Sequence, residues 1–325
     1  MRELSSRHIS GAYDPERFIR YFAAMKKSFF SVIDSASLPV LASSILITVL
    51  SCFSGLFGNT PAGRILLYVS YLAALTVSAA VSRLATGDLP GYRKSGSAGG
   101  QGPLAVAFFG VTTLAAYLNR MVTILLEKAG LISGTAVGPE IRDLSDMVLA
   151  VLTLCIIVPL AEEMLFRNFV LRRCLPLGIG KAVLFSSLLF SMLHADVSQL
   201  IYAFAGGTVL ACITLMTGSV IPAVVLHSAN NLAAVLISAA DAFLDESTAF
   251  AVSAVFDLVT VLAAAAAFVF ILVRKKRCPE YCTLLEYRED QQLPCDGSCT
   301  VRFPVVTVIF AVYTASRIAA ANFSL

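Results

Sequence analysis

Glu162, Glu163 and Arg167 share one apolar run, Cys155 to Val170, with the acids adjacent and the arginine one helical turn beyond the second. An ionised group at the centre of a membrane helix costs about 2.5–3.5 kcal/mol on insertion scales, so such a cluster is by default functional. Histidine is scarce enough to point to the partners. The chain has three, and His194 and His227 lie in other hydrophobic segments, whereas His8 sits in a polar leader. Asn231 follows His227 at i, i+4, which puts both side chains on one helical face. Carboxylates, imidazoles and an amide in a low-dielectric pocket are the parts of a hydrolytic site.

Roles follow from spacing. Glu163 and Arg167 are i, i+4 with the acid first, the favourable order for a helical ion pair. Arg167 is therefore expected to neutralise Glu163 and hold it in place. Glu162 points about 100° away around the helix, and a carboxylate in an apolar pocket suits a general base for water. His227 and Asn231 are expected to stabilise a developing oxyanion, and His194 to hold the attacking water. Asn230 is a weaker candidate for the same face. The same polar groups could instead tie helices together. Six of them on three segments favour a site.

The elements that must position these groups are membrane spans. Mean hydropathy is +0.82, and only 14% of residues are charged, against about a quarter in soluble domains. The chain reads as all-α, a polytopic helical bundle. Spans long enough to cross a bilayer, or nearly so, are expected near 38–56, 64–85, 103–126, 147–171, 181–195, 199–217, 219–240, 252–273 and 303–321. Residues 1–37 read as an interfacial amphipathic helix. Phe18, Phe22, Met25, Phe29 and Ile33 line one side, with Arg17, Arg20, Lys26 and Lys27 beside them, which suits anionic headgroups. No cleavable leader is expected, since no early apolar run is present. Lys and Arg flank the spans and form no stripe with stacking aromatics, which excludes nucleic acid as a partner class.

Basic residues set the orientation. With a cytoplasmic N-terminus, the inner segments hold 18 Lys and Arg and the outer loops four. The N-terminus is thus expected inside and, after nine spans, the C-terminus outside. At about 1.5 Å per residue, Glu162 lies roughly 15 Å in from Arg172, His227 roughly 12 Å from Gly218–Ser219, and His194 roughly 20 Å from Lys181. The groups can therefore meet near mid-depth. The 181–195 span is short, and its polar end, Ala195 to Gln199, needs a protein-lined or wet cavity.

The pieces Glu162-Glu163-x-x-x-Arg167, Phe190-x-x-x-His194 and His227-x-x-x-Asn231, in that order, resemble the three motifs of the CPBP (CAAX-protease and bacteriocin-processing, or Abi) intramembrane proteases. That family includes the type II CAAX prenyl endopeptidases. The resemblance covers roughly Val148 to Ala240, with no departure at the motif positions. It implies an eight-helix protease core, here within residues 38–273, that hydrolyses peptide bonds of membrane-anchored substrates such as prenylated CAAX tails or leader peptides. It also implies catalytic roles for Glu162, Glu163, Arg167, His194, His227 and Asn231. No cofactor is required in the preferred mechanism. A catalytic zinc on Glu162, His194 and His227 is the alternative, a His₂Glu set. Asn231 beside His227 fits an oxyanion hole better than a ligand shell.

Residues 274–302 form a cysteine-bearing loop after the basic cluster Arg274 to Arg277. Cys278, Cys282, Cys295 and Cys299 make two C-x₃-C pairs, a spacing that suits structural zinc. In a reducing cytoplasm disulfides are disfavoured, and unliganded or redox-sensing cysteines are the other reading. Cys52, Cys155, Cys174 and Cys212 lie in or beside apolar spans and read as packing residues. Residues 303–325 are expected to add a ninth span. Two other functions remain open on the sequence, a proton-coupled transporter and a non-catalytic immunity or scaffold protein. The absence of an obvious internal repeat weighs against the first, and the intact motif set against the second. A bacterial plasma membrane is the expected location.

Overall fold

The computed structural model describes residues 101–131, 139–194 and 196–274, together with isolated positions between Ala36 and Tyr92. Within the continuous described stretches six helices follow one another: α1 (Gln101–Lys128), α2 (Leu144–Leu177), α3 (Ile179–Leu193), α4 (Val197–Thr217), α5 (Ile221–Phe243) and α6 (Glu246–Arg274). No strand occurs among the described residues. All but α3 are long and apolar enough to cross a bilayer. The protein is a multi-pass membrane protein, all-helical in architecture over its described residues. These six match the spans expected from 103 to 273. The expected spans 38–56 and 64–85 are described only at isolated positions. The 1–37 helix apart from Ala36, the four clustered cysteines and the 303–321 span lie outside the described residues.

Apolar side chains are distributed as lipid contact demands. Leu152, Leu160, Val255 and Leu262 are exposed on the outer surface, while serine, threonine and charged groups are buried inside. α1 packs most extensively on α6 and α4, and α4 in turn on α3. The main core gathers Leu165, Phe166 and Leu171 of α2, Leu189 and Phe190 of α3, and Ala203 and Ala211 of α4. Small residues allow the close approaches. A methyl group at Gly110 would lie 2.1 Å from the Ala264 Cβ, so α1 and α6 meet there through glycine.

Side-chain caps fix the helix ends. Asp143 accepts from the Asp146 N–H at 2.8 Å, and Asp196 from the Ser198 N–H at 2.8 Å. Asp245 accepts from the Thr248 N–H at 3.0 Å. Hydrogen bonds from the Ser247 and Thr248 side chains, with that backbone bond, hold the Asp245 carboxyl well below the usual carboxylate range. This cap starts α6 before its apolar run begins. α4 ends at Gly218, in the left-handed region at φ 66°, whose N–H bonds the Thr214 carbonyl at 2.9 Å. A side chain would strain that turn.

α2 is irregular where it matters. It is π-helical over Val151–Ile157 and again over Phe166–Leu171, with an α-helical turn pair, Val158–Leu165, between them. π-helical insertions leave carbonyls displaced from their α-helical donors and recur at functional sites. Side chains from outside α2 serve them. Asn231 of α5 donates to the Leu154 carbonyl at 2.7 Å, Ser186 of α3 to that of Phe166 at 3.2 Å, and the Tyr92 hydroxyl to that of Arg167.

Candidate active site

Glu162 and Glu163 stand on the α-helical stretch between the two π-helical segments of α2, and Arg167 follows in the second. Glu163 and Arg167 are fully buried, and Glu162 is 1% exposed. Charge so deep persists only when paired and hydrogen-bonded. Arg167 Nε donates to Glu163 Oε2 at 2.8 Å, and its Nη1 to the Ser186 hydroxyl at 3.1 Å. The guanidinium carbon lies 5.1 Å from the centre of the Phe190 ring, a cation–π contact.

His227 of α5 completes the charged group. Its Nδ1 is 3.0 Å from Glu163 Oε1, and its Nε2 is 3.7 Å from Glu162 Oε2. Glu163 thus uses one oxygen for Arg167 and the other for His227, while the imidazole stands between the two carboxylates. The expected Glu163–Arg167 pair is present. Its extension to His227 was not read from the sequence, because it joins segments 64 residues apart. The general need of a buried imidazole for a carboxylate was the available signal.

His194 closes the end of α3. Its Nδ1 meets the Phe190 carbonyl at 3.0 Å, which leaves Nε2 for other groups. Phe190 links it to the rest. That ring lies edge-on to His194 at 5.1 Å and to His227 at 5.7 Å between centroids. Phe190, the first residue of the second motif, is thereby the packing centre of the site. Gly207 of α4 lies behind it, where a methyl group would come 3.0 Å from the ring.

Asn231 is one turn beyond His227 on α5. One proton of its amide is committed to the Leu154 carbonyl, and the NH₂ group carries a second. Asn230 takes a different part. Its carbonyl oxygen accepts from Thr112 at 3.2 Å, and its NH₂ donates to the Tyr202 hydroxyl, so it joins α5 to α1 and α4. Asn119 of α1 was also missed by sequence reading. Its amide donates to the Val197 carbonyl at 3.0 Å and accepts from the Ile201 N–H at 2.7 Å. Those are the two groups that an α-helix would join directly. The α3–α4 corner beside His194 is therefore bolted to α1.

Among the described residues no three His, Cys, Asp or Glu side chains are arranged to hold a metal ion. Cys155, Cys174 and Cys212 are unbridged.

Residues 144–233 match a family model described as Type II CAAX prenyl endopeptidase Rce1-like. The matched segment contains all six candidate residues and agrees with the family recognised from the three motifs. No curated protein and no solved structure matches the chain.

Proposed function

From the Rce1-like segment and the site it contains, we propose that this protein is an intramembrane endopeptidase acting on membrane-associated substrates through a Glu162-activated water. Peptidase activity is what the family match implies. The observation that carries the mechanism is His227 standing between Glu162 and Glu163, with its two ring nitrogens facing different carboxylates.

In this reading Glu163 and Arg167 orient the imidazole, and Nε2 is directed at the reacting centre. The 3.7 Å between Nε2 and Glu162 exceeds a hydrogen bond but admits a water bonded to both groups. Glu162 takes the proton of that water as its oxygen adds to the scissile carbonyl, and later returns it to the leaving amine. His227 and the second Asn231 N–H donate to the oxyanion. His194 holds the water from the α3 side. Prenylated CAAX tails are the first substrate class to test, with leader peptides second. No metal enters this mechanism.

The test is cleavage of a quenched fluorescent farnesylated CAAX peptide, and of a leader peptide, by purified protein in detergent with and without chelator. Cleavage of either peptide that survives chelation supports the reading. Loss on chelation with recovery on zinc would replace it by the metalloprotease, and no cleavage of any peptide would remove the enzyme.

A further inference from the structure

Pro159 has no place in the chemistry described above, yet it lies buried three residues before Glu162. Its consequence is found in the backbone. Through the first π-helical segment, donors reach five residues back, as the Val158 N–H does to the Thr153 carbonyl. The next bond of that series would run from residue 159 to the Leu154 carbonyl. Proline has no N–H, so the bond cannot form. That same carbonyl receives the Asn231 amide at 2.7 Å.

We propose that Pro159 is a positioning residue: by vacating the Leu154 carbonyl it provides the acceptor that orients the Asn231 amide for catalysis. The inference rests on the reading of Asn231 as an oxyanion donor. An asparagine amide is planar, and its two N–H bonds are fixed relative to each other. Once one is anchored on a rigid helix, the direction of the other is set. An oxyanion donor needs that preorganisation, because donors that must reorient during the reaction lose most of their effect. The proline on α2 thereby acts on α5 through one backbone oxygen.

A residue with an N–H at position 159 would compete with Asn231 for the carbonyl. Pro159→Ala should lower kcat about 10-fold or more, given the steep dependence of rate on donor placement, with KM within about twofold. Thermal stability should be unchanged or higher, since proline is unfavourable inside a helix. Rising stability with falling kcat separates this effect from damage to the fold. Pro159→Gly, which also restores the N–H, serves if the alanine variant does not accumulate. The decisive comparison adds Pro159→Ala to Asn231→Ala. If proline acts through Asn231, the double variant is no slower than Asn231→Ala alone. A wild-type kcat in Pro159→Ala overturns the proposal, as does an equal further loss in the Asn231→Ala background. Wild-type turnover by Asn231→Ala alone would instead remove the oxyanion reading, and this proposal with it.

Discussion

His227 and Glu163 meet across two helices, Nδ1 to Oε1 at 3.0 Å, inside a pocket where the glutamate is fully buried. The bond fixes the ring so that Nε2 faces Glu162. It also makes Glu163 the meeting point of one ion pair along α2 and one bond to α5. Stability and activity are consequently coupled through the same carboxylate.

Arg167→Ala should expose that coupling. It removes the Nε bond to Glu163, the bond to Ser186 and the contact with Phe190. A buried carboxylate stripped of its partner costs about 3–5 kcal/mol. The variant is expected to melt well below wild type in detergent and to lose most turnover. Unchanged melting would show that Glu163 does not depend on Arg167.

Gly207→Ala tests the role of Phe190 as the packing centre. The added methyl would lie 3.0 Å from the Phe190 ring and 3.5 Å from Ser187. Overpacking of this kind costs about 1–3 kcal/mol. The displaced ring should carry His194 and His227 with it, lowering kcat more than KM. Wild-type kinetics would mean the ring yields without moving the histidines.

Much of this arrangement was legible in the sequence, for identifiable reasons. Apolar length gave the six described spans, and the short α3 was recognisable from 181–195. The i, i+4 spacing placed Arg167 on Glu163 because both belong to α2. The start of α6 was less legible, since the Asp245 cap extends the helix through Glu246, Ser247 and Thr248, which carry no apolar signal. The π-helical segments left one trace, Pro159, whose meaning depends on where Asn231 lies. Asn119, Thr112 and Tyr202 were not read as contributors because single polar groups in apolar spans have no pattern of their own. Only tertiary packing shows that they bond across helices.

Asn119→Ala should loosen the α3–α4 corner. It withdraws a donor from the Val197 carbonyl and an acceptor from the Ile201 N–H. Removing one partner of a buried hydrogen bond costs about 1–3 kcal/mol. Hydrogen exchange in the first turn of α4 is expected to accelerate, with little change in α6. Equal protection of both helices in the variant and wild type would assign Asn119 no such role.

The most direct measurement compares peptide cleavage by wild type and Glu162→Gln, with thermal unfolding run on both. Glutamine keeps the shape of the side chain but cannot accept the proton of water. The account expects kcat to fall about 10²–10⁴-fold while the melting temperature stays close to wild type. A variant that folds and cleaves at the wild-type rate would contradict Glu162 as the base.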